Sequence, residues 1–119
     1  MDPNASRPVD VRRLRSALTD LGAGGVFREL LGIFLQETPE RLATLRKALA
    51  AKDAQKVRFV AHTIKGSCGY LGANGLLALC RDMEGLGRSG VLTEAAPLLE
   101  RIEAEFKLVQ TALEEELRT

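Results

Sequence analysis

Residues 53–72 read DAQKVRFVAHTIKGSCGYLG, and the spacing of their apolar residues decides the fold. Wound at about 100° per residue from Val57, the side chains of Val60, Ala61, Ile64, Cys68 and Leu71 all fall within about 60° of it. That is the stripe of a helix with one side buried. Asp53 suits its N-cap, because a carboxylate there accepts from the orphan amides of the first turn, and Gly72 suits a left-handed C-terminal residue. On the same projection Lys65 falls at about 80°, Gly69 at about 120°, His62 at about 140° and Gly66 at about 180°, away from the stripe. Phe59 and Tyr70, at about 200° and 220°, also lie toward solvent.

Similar stripes flank this helix. Leu76, Leu79, Cys80 and Met83 begin a helix expected to end within residues 85–90. Upstream, Phe27, Leu30, Leu31, Phe34, Leu42, Leu45 and Leu49 keep one phase across Pro39. This predicts a single long helix bent at the proline, with division there as the alternative. A short helix over residues 10–18 precedes Gly22, Gly24 and Gly25, which break the chain. The last helix is expected from about Thr93, with Pro97 in its first turn and Leu98, Ile102, Phe106, Val109, Leu113 and Leu117 buried. No stretch alternates as a strand would. The expected architecture is all-α: an antiparallel up-and-down four-helix bundle with a short additional N-terminal helix over one end. One domain spanning residues 1–119, with a flexible N-terminus over about residues 1–9, and a monomeric state complete the expectation.

The chain has 119 residues, with 17 Lys+Arg against 16 Asp+Glu and 45% apolar residues. That is an ordinary globular mixture, large enough to bury a core without disulfide or metal staples. Near-neutral charge, four Phe, one Tyr and no Trp argue against a nucleic-acid binder, which needs a basic surface and usually stacking rings. No apolar run is long enough to span a membrane, and residues 1–10 do not read as a secretory signal, so a cytoplasmic location is expected. Because the chain begins with Met1 and closes soon after the last stripe, a free-standing protein is expected, with a domain excised from a larger protein as the alternative. Cys68 and Cys80 fit neither a redox motif nor a zinc site and read as buried thiols. With a turn at Gly72, Cys68 is expected opposite Leu76 rather than Cys80, which disfavours a disulfide. No P-loop, kinase Gly-rich loop or carboxylate cluster for a metal is present.

The solvent face of the central helix carries the chemistry. Glycine inside a helix costs about 1 kcal/mol relative to Ala, so two of them, Gly66 and Gly69, imply a surface cleared for close approach by something external. Lys65, three residues from His62, can stabilise an anion placed on the imidazole. A solvent-facing nitrogen nucleophile, a nearby cation and a cleared surface together fit a phosphoryl group delivered by another protein. Phe59 and Tyr70 read either as an apolar docking patch around His62 or as rings covered by the first helix or another part of the bundle.

Residues 61–72, AHTIKGSCGYLG, resemble the H-x-x-K-G-x-x-x-x-x-G signature of histidine-containing phosphotransfer (HPt) domains, matching at His62, Lys65, Gly66 and Gly72. The flanking FLQETPERLATLRKALAAKD and CRDMEGLGR are similar to that family's neighbouring helices, so the resemblance covers roughly residues 10–117. It implies a four-helix bundle that shuttles phosphoryl groups between receiver domains of response regulators and hybrid histidine kinases. It further implies His62 as phosphoacceptor, Lys65 as the phosphoryl group's electrostatic partner and Gly66 as the clearance residue. Gly69 lies outside the signature and rests on the helical projection alone. Thr63 stands where sensor kinases carry an acid after the reactive histidine, which favours a carrier over a kinase. Any Mg²⁺ is then expected to come with the receiver partner. Two other readings stand beside this one: a helical docking module that has lost phosphotransfer, and an enzyme using His62 as a general base, for which no second catalytic partner is visible.

Overall fold

In a computed structural model describing residues 7–119, five helices follow one another without any strand among the described residues. They are α1 (Arg12–Asp20), α2 (Val26–Ala50), α3 (Ala54–Leu71), α4 (Asn74–Ser89) and α5 (Ala95–Arg118). Helices α2 to α5 form a closed ring in which each packs on its sequence neighbours and α5 returns to α2. This is the up-and-down bundle the stripes predict, and one continuous apolar core fills it.

Local chemistry sets the helix ends. The Asp53 side chain accepts from the Lys56 amide at 3.1 Å and starts α3. Gly72 ends it at φ 63°, where the Asp10 N–H donates to the Gly72 carbonyl at 3.1 Å. A Cβ at Gly72 would lie 2.1 Å from the Asp10 carbonyl oxygen, so the turn needs glycine for its conformation and for the chain crossing it. Helix α2 runs unbroken through Pro39, and the divided alternative does not occur. The proline is exposed, so its ring adds no strain to the core while it removes one hydrogen bond from the helix.

Helix lengths explain why α1 is needed. With 25 and 24 residues, α2 and α5 are roughly 37 Å long, whereas α3 and α4, with 18 and 16, reach roughly 27 and 24 Å. The longer pair overhangs the α3–α4 turn, and the N-terminal segment covers the apolar surface left there. Val9 and Val11 are buried, and the Arg15 guanidinium sits 4.2 Å above the Phe27 ring while donating to Glu116 at 2.9 Å. Most of the expectation of a flexible N-terminus falls on residues 1–6, which lie outside the described residues. Val9, inside the segment expected to be flexible, belongs to the core.

Inside the ring, Phe34 of α2 meets Phe106 of α5 with centroids 6.0 Å apart. Leu31, Leu45, Ile64, Leu71, Leu76, Met83, Ile102 and Leu113 are fully buried. Leu30, Leu49, Leu79 and Leu117, also assigned to the stripes, are only half-buried at their edges. Helices α3 and α4 approach most closely at Gly87, where an added Cβ would lie 2.6 Å from the Arg58 backbone nitrogen. Both cysteines are buried free thiols. Burial pushes the Cys80 thiol up to about 12, and burial together with the neighbouring Cys80 pushes Cys68 up as well. No helix among the described residues is long and apolar enough to cross a membrane.

Candidate functional site

His62 stands midway along α3 with 65% of its side chain exposed, on the side opposite the core stripe. Its Nδ1 lies 2.7 Å from Oε2 of Glu84, which projects from α4 and is only 5% exposed. The other carboxylate oxygen, Oε1, accepts from the Lys65 ammonium at 2.5 Å. Arg88, one turn further along α4, places a guanidinium nitrogen 3.6 Å from Oε2. The hydrogen bond from Lys65 holds the Glu84 carboxyl below its ordinary range, aided by His62 and opposed by burial. Glu84 is therefore a charged, acceptor-only group, so the proton of the His62–Glu84 hydrogen bond resides on Nδ1. In the neutral ring the lone pair is then on Nε2, the nitrogen that faces outward.

The surface beyond the imidazole is open. A Cβ added at Gly66 or Gly69 would meet nothing within 4 Å. Phe59, 71% exposed, lines the same shallow hollow as His62, Lys65, Glu84, Arg58 and Arg88. Tyr70, 39% exposed, and Gly69 instead border a second depression at the α1 end, with Asp10, Arg12, Arg13 and Ser16. The structure thus separates two rings that the helical projection groups together. Phe59 stays uncovered beside the histidine, whereas Tyr70 stands against the N-terminal segment.

Two features depart from the sequence reading. Lys65 does not stand free above the helix; its ammonium is committed to Glu84. Glu84 is the partner that the sequence reading does not contain, since it stands on another helix, 22 residues from His62. A signal was available. Glu84 lies four residues after Cys80 and one after Met83, on the buried side of α4, and an acid at such a position needs partners.

The Hpt domain family profile matches residues 29–116, from the start of α2 to the end of α5. No curated protein matches the chain. Among solved structures, the crystal structure of histidine-containing phosphotransfer protein B (HptB) from Pseudomonas aeruginosa PAO1 is similar at 33% identity and a TM-score of 0.86. That alignment covers 96% of this chain and 97% of the other. A profile spanning the whole helical ring, and a solved relative matched along nearly its full length, place this chain in the Hpt domain family.

Proposed function

We propose that this protein is a phosphorelay carrier: His62 accepts a phosphoryl group from a receiver-domain aspartate and passes it to the aspartate of another receiver. The observation that carries this reading is the Nδ1–Glu84 hydrogen bond, which leaves the Nε2 lone pair on the exposed side of the ring. In the forward step Nε2 forms the N–P bond while the P–O bond to the aspartyl group breaks, and the aspartate leaves as a carboxylate with the bonding pair. No proton has to move. The ring keeps its Nδ1 proton and becomes an imidazolium, and the Glu84 carboxylate stabilises the charge it gains, as the buried acid does in a Ser-His-Asp triad.

Lys65 has two roles here. It neutralises Glu84 in the resting state, and its remaining N–H groups, at the 28% exposed rim, stabilise the incoming phosphoryl oxygens. Gly66 lets the receiver approach the helix backbone, Phe59 supplies an apolar contact beside the reacting nitrogen, and Gly69 and Tyr70 extend the docking face toward α1. The divalent ion that phosphoryl transfer uses, Mg²⁺, enters with the receiver. The carrier acts as a cytoplasmic monomer.

The test is transfer of labelled phosphate from a receiver domain charged with acetyl phosphate and Mg²⁺. Acid-labile, alkali-stable label on this protein is expected, with none on a His62→Gln variant of unchanged helical content. Label on the variant, or receiver binding with no label on the unaltered protein, refutes the reading; the second outcome identifies a docking module instead.

A further inference from the structure

Formal charges nearly cancel over the whole chain, yet they are segregated in space. Helix α3 carries Lys56, Arg58 and Lys65 and no acidic residue. Helix α5 carries six glutamates against three basic residues. The two helices occupy opposite corners of the four-helix ring, where their backbones do not approach each other closely. Around His62 the only carboxylate lining the hollow among the described residues is Glu84, which is buried and already faces His62, Lys65 and Arg88. The side chains of Lys56 and Arg58 are exposed and make no ion pair among the described residues.

Gly87 concentrates this charge. Because it has no side chain, the backbone of α4 lies against that of Arg58, so Arg88 emerges beside Arg58 at the mouth of the hollow. Two arginines lining one hollow favour an anion placed above it. Glu84 answers only part of that charge, since it lies 3.6 Å from Arg88 and already holds His62 and Lys65, and Arg58 has no ion pair among the described residues.

We propose that the α3 face is an electrostatically steered docking surface, with Arg58 and its neighbour Arg88 receiving the acidic rim of the partner's phosphoaspartate pocket. The proposal rests on the carrier reading and names the partner's surface chemistry. A pocket that holds an aspartyl phosphate with Mg²⁺ gathers carboxylates as well as phosphoryl oxygens. Its rim is therefore an anionic surface that fits this face and is repelled by α5. The charge separation across a molecule 29 Å by 22 Å in cross-section orients the encounter before contact. Orientation matters here, because transfer needs one outward-facing nitrogen in line with the partner's phosphorus.

Steering is separable from chemistry by measuring transfer from the acetyl phosphate-charged receiver at limiting and at saturating receiver. Between 0.01 M and 0.15 M salt the screening length falls from about 30 Å to about 8 Å, and the second-order rate constant should fall about ten- to a hundredfold. The first-order rate at saturation should change less than twofold. Arg58→Glu should lower the second-order constant about tenfold at low salt and converge on the unaltered protein at about 0.5 M, with Arg58→Ala intermediate. Lys107→Glu on α5, an equal change of charge, should leave it unchanged or raise it. Salt-independent association, or equal losses at Arg58 and Lys107, overturns the proposal. Absence of transfer even at saturating receiver overturns the carrier reading and this inference with it, whereas normal saturated transfer with unsteered association overturns this inference alone.

Discussion

Replacing Glu84 by Gln keeps the side chain's shape and removes its charge. The carboxylate accepts from His62 Nδ1 with one oxygen and from Lys65 with the other. An amide can accept at only one of those positions and donates at the other, so one of the two donors, the His62 Nδ1–H or the Lys65 ammonium, loses its acceptor. Breaking a fully buried pair costs about 3–5 kcal/mol, but Lys65 is 28% exposed and its ammonium can turn to water, which reduces the expected loss of stability to about 1–2 kcal/mol. The pH dependence has a definite sign. Glu84 titrates below its ordinary value of 4.5 when folded, so its stabilisation is complete above that value and is lost as pH falls through the lower, folded one. Denaturation curves of the two proteins should therefore differ most near neutrality and converge as the pH drops below about 4.5. For the reaction, a charge-assisted hydrogen bond contributes about 1.5–3 kcal/mol, and the 65% exposed ring takes the lower end of that range. Transfer at saturating receiver should slow by about ten- to thirtyfold in rapid-quench measurements. Ring ¹⁵N shifts should show His62 protonated on Nδ1 in the unaltered protein and distributed over both nitrogens in the variant. Transfer within twofold of the unaltered protein, together with an unchanged tautomer, would refute the role given to Glu84.

Other substitutions test the surface and the packing beneath it. Phe59→Ala removes a ring that is 71% exposed, so denaturation should show a change within about 0.5 kcal/mol, while receiver affinity measured by titration falls about tenfold. A loss of stability near 3 kcal/mol would mean that the ring is packed rather than presented. Gly87→Ala and Gly66→Ala should shift stability in opposite directions. The first places a methyl group 2.6 Å from the Arg58 nitrogen and should cost about 2–3 kcal/mol, whereas the second meets nothing within 4 Å and should gain up to about 1 kcal/mol while slowing transfer from the receiver.

The fold was legible because each helix carries its own evidence. The phase kept from Phe27 to Leu49 outweighs Pro39, since one missing hydrogen bond on an exposed side is a smaller loss than a misplaced apolar stripe. Asp53 and Gly72 mark the ends of α3 by local chemistry that needs no knowledge of neighbours. The histidine, the lysine and the open glycine face were visible for the same reason, as all lie on one helix whose winding can be calculated. Glu84 was not, because its meaning depends on the rotation of α4 against α3, and that rotation is set by Gly87 packing on the Arg58 backbone. The different surroundings of Phe59 and Tyr70 were hidden likewise. Periodicity places both toward solvent, but only the three-dimensional path of the N-terminal segment brings Asp10 and α1 beside Tyr70.

The double engagement of Glu84 also bears on how long a transferred group could be kept. A phosphoryl group on an exposed helix face has no lid to shelter it from water, so its survival depends on whether a nearby base activates that water. Among the described residues lining the hollow, Glu84 is the sole carboxylate, and its two oxygens are engaged by His62 Nδ1 and Lys65. The hollow is otherwise bordered by cations, an amide and a phenyl ring, none of which abstracts a proton at neutral pH. On the carrier reading, storage would come from denying hydrolysis its base: the carboxylate that would ready the ring for a phosphoryl group is held where it cannot help water remove it.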